Sequence, residues 1–178
     1  MEASQGKLVL IGLPGSGKST LGKKLSLKLQ HPYYDLDKLI EQEIGCTIAQ
    51  FFKDEGEDSF RSLESRILKG ILEEEGGFIL STGGGAPCYH GNMEMINRHS
   101  TAIYIDVPTE VLVKRLIKNG GGERPMFFDM SEAEVAQKIA DLKSARENFY
   151  NQAKIKLSGS NITTELILST LDQYRFRN

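Results

Sequence analysis

The sequence predicts an α/β fold, a single three-layer domain in which a five-stranded parallel sheet carries helices on both faces. Three observations predict it. Short apolar runs that read as buried strands alternate with amphipathic helical stretches along all 178 residues, and continuously apolar strands are what a sheet covered on both faces requires. The first of these runs, LVLI at 8–11, enters a glycine-rich loop, GLPGSGKST at 12–20, and a helical stretch follows it. No repeat, low-complexity linker or shift in composition divides the chain, so residues 1–178 read as one domain.

Each element follows from its pattern. Residues 19–29 carry Leu21, Leu25 and Leu29 at helical spacing. HPYYDLD, 31–37, is a short strand ending in Asp35 and Asp37, with a helix from about 38 to 44. TIAQFFKDEG, 47–56, is a short helix closed by Gly56. The longer helix from 57 to about 75 places Phe60, Leu63, Ile67, Leu68, Ile71 and Leu72 on one side. GFILSTGGG, 77–85, is a buried strand running into Gly83, Gly84 and Gly85, and TAIYIDVP, 101–108, is another. Residues 109–117 form a helix with Val111, Leu112, Val113 and Leu116 inward. From 131 to about 151 the chain is helical, Ser131 serving as N-cap with Glu134 as its capping-box partner. AKIKLSG, 153–159, is the last strand, and 163 to about 174 the last helix.

In such a sheet, ligands sit beyond the carboxyl ends of the strands. Three strand ends therefore converge on one site: the loop at 12–20, Asp35 with Asp37, and Gly83 to Gly85. The loop fits G-x-x-x-x-G-K-[ST], with Gly12, Gly17, Lys18 and Ser19 at the fixed positions. Backbone N–H groups of such a loop turn inward on an anion, the following helix adds its positive end, the lysine reaches terminal phosphates and the hydroxyl can ligate Mg²⁺.

Asp35 and Asp37, at the end of a strand, should divide the work, one toward the metal and one toward an acceptor hydroxyl; equally, Asp37 before KLIE has the position of a helix N-cap. Arg61, with Glu64 at i+3 and Ser65 at i+4, is either an exposed ion pair or a rigid fork for a carboxylate. Arg146 carries the same two readings. The stretch KNGGGERPMFFDM, 118–130, breaks the helical rhythm and suits a lid that closes over the site and excludes water, with Arg124 in its centre.

Composition excludes several classes. A net charge of −2 from 22 basic and 24 acidic residues provides no overall field for nucleic acid or an anionic membrane. The two cysteines, Cys46 and Cys88, lack metal spacing and are expected as reduced thiols in a cytoplasmic protein. No leader or membrane segment is evident at the start of the sequence. His31, His90 and His99 read as surface residues, Tyr33 and Tyr34 as packing at the sheet edge, and the KDEGED and EEEGG runs as solvated helix ends. CYHGN, 88–92, carries no interpretable signal.

In order and approximate spacing, GLPGSGKST, DLD, FR with glutamate three residues on, TGGGA, RP and ARENFY resemble the shikimate kinase family over nearly the whole chain. The resemblance implies strand order 2-3-1-4-5, as in nucleoside monophosphate kinases, with a mobile substrate-binding segment at about 37–67 and a lid at about 118–130. It implies transfer of the terminal phosphate of ATP to the 3-hydroxyl of shikimate with Mg²⁺, on the route to chorismate and the aromatic amino acids. Asp37 matches the aspartate that binds acceptor hydroxyls and is the candidate base; Lys18 and Arg124 complete the catalytic set. Gly12, Gly15, Ser16, Gly17, Lys18, Ser19 and Thr20 would hold the phosphates, and Ser19 with Asp35 the metal. Arg115 matches an arginine lying against the adenine. Arg61 and Arg146 match the pair that grips the shikimate carboxylate, and Gly83, Gly84 and Gly85 the triplet whose backbone approaches the ring. A monomer is expected. The rivals are a kinase of another small acceptor, such as gluconate or a nucleoside monophosphate, and a nucleotide-binding module without catalysis.

Overall fold

The computed structural model describes residues 6–118 and 125–177. Its centre is a parallel five-stranded sheet in the order β2-β3-β1-β4-β5, as the resemblance implies. The strands are β1 (Lys7–Ile11), β2 (Tyr33–Asp35), β3 (Phe78–Ser81), β4 (Thr101–Asp106) and β5 (Ile155–Ser158). β1 lies in the middle, with Val9 opposite Leu80 on one side and Ala102 on the other. Every residue of β1 and β3 is buried, as strands covered on both faces should be. Edge strand β5 instead alternates, burying Ile155 and Leu157 and exposing Lys156 and Ser158.

Seven helices cover the sheet among the described residues: α1 (Lys18–Leu29), α2 (Leu36–Ile44), α3 (Ile48–Glu73), α4 (Asn92–His99), α5 (Thr109–Lys118), α6 (Glu132–Tyr150) and α7 (Thr164–Arg177). The break foreseen at Gly56 is present. Its backbone (φ 79°, ψ 174°) lies outside the range open to L-residues, and α3 resumes in a new direction at Glu57. The capping box also forms: Glu134 N–H donates to Ser131 Oγ, and Ser131 N–H to Glu134 Oε2 at 2.8 Å.

Two expectations are corrected. Asp37 is not on a strand. Strand β2 ends at Asp35, opposite the last residue of β3, Ser81, so the chain has no further pairing partner and turns at once into α2. Asp37 thus stands in the first turn of α2, and Asp35, not Asp37, has the N-cap position. The second correction is α4, which the sequence reading omitted. A 3₁₀ turn (Ala86–Cys88) follows the glycine triplet, His90 and Gly91 take left-handed conformations, and α4 begins at Asn92. Helix α4 has only two turns, with Met93 and Ile96 inward, too short a pattern to stand out.

Candidate active site

The loop between β1 and α1 owes its shape to its glycines. Gly15 and Gly17 have φ of 80° and 92°, and a Cβ on Gly12 would stand 2.7 Å from the Ile105 carbonyl oxygen. Lys18 is buried, its Nζ donating to the carbonyls of Gly12 at 2.9 Å and Leu13 at 3.0 Å. Its charge is thereby held inside the loop, where a phosphate chain would lie. Across the loop, Arg115 Nη1 donates to the Gly15 carbonyl at 3.3 Å and Nη2 to that of Ser160 at 3.0 Å, so α5 is tied to the loop's outer side.

The start of α1 meets the end of β2. Ser19 Oγ and the Tyr33 hydroxyl each donate to Asp35 Oδ2, both at 3.1 Å. The ring of Tyr33 fits only because residue 22 is glycine: a Cβ there would stand 2.5 Å from Tyr33 Cε2. One hydroxyl and one carboxylate from two elements suit a Mg²⁺ ion that keeps most of its coordination for phosphate and water. No group of three or more His, Cys, Asp or Glu fit to hold a metal is present among the described residues.

The glycine triplet forms a third part. Each glycine receives a different charged head. A Cβ on Gly83 would stand 2.6 Å from Asp37 Oδ1, one on Gly84 2.9 Å from Arg146 Nη1, and one on Gly85 2.8 Å from Arg61 Nη2. The same point on Gly84 lies 3.3 Å from Pro14 Cδ and 3.4 Å from the Gly12 carbonyl oxygen, so the triplet adjoins the phosphate loop. Asp37, Arg146 and Arg61 come from α2, α6 and α3, and only side-chain-free residues let all three approach one backbone segment.

Arg61 is not an exposed ion pair. Its Nη1 donates to Glu64 Oε2 at 2.7 Å, and the Glu64 side chain is 1% exposed. Burial raises the Glu64 pKa above its ordinary value; Arg61 opposes that shift and Asp37 adds to it. Burial works to lower the Arg61 pKa, but Glu64 outweighs it and the guanidinium ends above its usual value. Ser65, expected beside Arg61, donates instead to Asn92 Oδ1 at 2.7 Å, and Asn92 Nδ2 donates to the Ala86 carbonyl at 2.8 Å. This fully buried asparagine joins α3 to the turn after the triplet.

The model of the shikimate kinase family matches residues 14–174. The chain belongs to the shikimate kinase family. The shikimate kinase of Azobacteroides pseudotrichonymphae is 37% identical over 165 residues, covering 93% of this chain and 96% of that protein. The solved shikimate kinase of Bacteroides thetaiotaomicron superposes with a TM-score of 0.85 at 33% identity, covering 96% of both chains. That of Acinetobacter baumannii, solved in complex with shikimate, gives 0.80 at 27% identity over 96% of this chain and 92% of that one.

Of the residues that the shikimate kinase resemblance singled out, Asp37, Arg146 and Arg61 are brought to Gly83, Gly84 and Gly85, Gly84 stands near Gly12, Ser19 bonds Asp35, and Arg115 flanks the loop. Arg124 lies outside the described residues, as does most of the glycine-rich half of the stretch read as a lid. Sequence reasoning missed Tyr33, Tyr150 and Glu57. Tyr150 lay within the quoted ARENFY, four residues from Arg146, the spacing that puts two side chains on one helix face. Glu57, read as part of a solvated charge run, accepts from Arg61 Nε and Nη2, each at 3.2 Å.

Proposed function

We propose that this chain is a shikimate kinase, which transfers the γ-phosphate of ATP to the 3-hydroxyl of shikimate and yields shikimate 3-phosphate and ADP. The observation that carries the reading is the row of one carboxylate and two guanidiniums laid on Gly83, Gly84 and Gly85 against the phosphate loop. A hydroxyl-bearing carboxylic acid is the complement of that row: Arg61 and Arg146 for its carboxylate, Asp37 for its hydroxyls. The closeness of Gly84 to Pro14 supports acceptor and donor sites side by side.

Asp37 takes the proton from the 3-hydroxyl as its oxygen bonds to the γ-phosphorus, and the bond to the β,γ-bridging oxygen breaks with release of ADP. Lys18, the backbone N–H groups of Gly15, Gly17 and their neighbours, and the Ser16 and Thr20 side chains hold the phosphates; Arg124 supplies positive charge from the lid. Ser19 and Asp35 would hold Mg²⁺, which when bound neutralises charge on the phosphate oxygens. Arg115 would border the adenine. Residues of about 37–67 form the substrate-binding segment and those of about 118–130 the lid of a single kinase domain. The free thiols Cys46 and Cys88 support a protein working in the cytoplasm.

ADP release from MgATP, measured in parallel with shikimate, gluconate, AMP or no acceptor, tests the reading. Release only with shikimate is expected. Release with gluconate or AMP instead would overturn the acceptor, and ATP binding without turnover on any of them would favour the non-catalytic module.

A further inference from the structure

Among the described residues, three bonds from Arg61 to protein acceptors engage three of its five N–H groups: Nη1 to Glu64, and Nε and Nη2 to the single oxygen Oε1 of Glu57. The same Glu57 oxygen accepts from the Tyr89 hydroxyl at 3.1 Å. Tyr89 also lays its ring on the guanidinium, 4.3 Å from Cζ to ring centroid, while Phe60 and Phe52 border it at 5.1 and 5.8 Å. Gly85 closes a further side, its absent Cβ leaving room for Nη1 and Nη2.

Tyr89, in the CYHGN stretch, directly follows the 3₁₀ turn, and Glu57 is the first residue after the break at Gly56. Both are partly open to solvent, Tyr89 at 38% and the Glu57 side chain at 53%. Neither closes the core, and a purely structural tyrosine would have no need of a carboxylate shared with an arginine. What the two accomplish together is orientation. A guanidinium on a long stem loses rotamer freedom whenever it binds; one already clamped on two edges and stacked on a ring has lost it beforehand.

We propose that Tyr89 and Glu57 are a positioning pair that locks Arg61 with its two remaining N–H groups turned to the carboxylate of the acceptor. The proposal rests on the assignment of Arg61 to that carboxylate. It deepens it by naming residues that touch neither substrate and that set affinity for the acid through the arginine.

The test uses the full chain with Tyr89→Phe, Tyr89→Leu, Glu57→Gln and Arg61→Ala, measuring KM for shikimate and for ATP, kcat, and the inhibition constant of shikimate methyl ester, a neutral analogue. Tyr89→Leu and Glu57→Gln are expected to raise KM for shikimate roughly three- to tenfold, the size of one lost stacking or charge-assisted contact. Tyr89→Phe, which keeps the ring, should fall between wild type and Tyr89→Leu. KM for ATP should hold, kcat should change less than KM, and the ester should bind all of these proteins alike. Equal weakening of acid and ester would mean a merely structural role and overturn the proposal. A lowered KM for shikimate would also overturn it, since Glu57 would then be competing for the guanidinium. If Arg61→Ala itself leaves KM for shikimate unchanged, the carboxylate assignment fails; if only Arg61→Ala raises it, the lock alone fails.

Discussion

The Tyr150 hydroxyl donates to the Gly84 carbonyl at 2.5 Å, across a sequence separation of 66 residues. Tyr150 is fully buried against Tyr104, and it closes α6, the helix that also carries Arg146 one turn earlier. The bond therefore ties the end of α6 that carries Arg146 to the glycine triplet.

Tyr150→Phe should cost about 1 kcal/mol of stability, the net worth of an ordinary hydrogen bond. Its larger signature should be kinetic, a raised KM for shikimate with KM for ATP retained. Chemical denaturation and steady-state kinetics on the same preparation check both; an equal rise in the two KM values would contradict a role confined to Arg146 and the triplet.

The triplet offers a second measurement. Alanine at Gly85 would put Cβ 2.8 Å from Arg61 Nη2, and alanine at Gly83 would put it 2.6 Å from Asp37 Oδ1. Gly85→Ala should therefore raise KM for shikimate, by roughly tenfold or more if the charge-assisted contact is lost. Gly83→Ala should act mainly on kcat, since it displaces the candidate base. Indistinguishable kinetic profiles for the two variants would show that the glycines serve packing alone.

Asp106, at the carboxyl end of β4, accepts from Ser158 Oγ at 3.0 Å and Lys143 Nζ at 3.2 Å, with Lys156 Nζ at 3.4 Å. Burial would raise its pKa, but the Ser158 and Lys143 bonds and the charges of Lys143 and Lys156 outweigh that and lower it. A carboxyl depressed in the folded state stabilises the protein above its unfolded value, about 3.9, and loses that contribution as pH falls through the folded value. Asp106→Asn should thus cost about 1–2 kcal/mol at pH 7, reduced from the full value of charged hydrogen bonds because Lys156 is partly solvated. The gap to wild type should narrow as pH drops below about 4. Unfolding followed from pH 7 to pH 3 measures it, and a gap independent of pH would refute the electrostatic account.

Cys88 stands beside the site, and burial pushes its thiol up to about 11 against the pull of Arg146 and Arg61. At pH 7.5 fewer than about one molecule in 10³ would carry the thiolate, the form that reacts. Alkylation of Cys88 by iodoacetamide, followed by mass spectrometry, should be far slower than that of a free cysteine and rise with pH up to about 10. Labelling at the rate of a free thiol at pH 7.5 would refute the burial effect.

The sheet, its parallel sense and the phosphate loop are legible in the amino-acid order, because each is written in local spacing: continuous apolar runs, helical periodicity, glycines before Lys18 and Ser19. The break at Gly56 and the capping box of Ser131 with Glu134 were legible for the same reason, since neighbouring residues alone specify them. That Asp37 leaves the strand follows from packing, because β2 is limited by where β3 ends and not by its own residues. Packing likewise decided which charge meets which glycine, for a missing Cβ records that something approaches but not what. Tyr89 on Arg61, and Tyr150 on Gly84, are contacts between segments tens of residues apart, where no periodicity links the partners and only the packed chain brings them together.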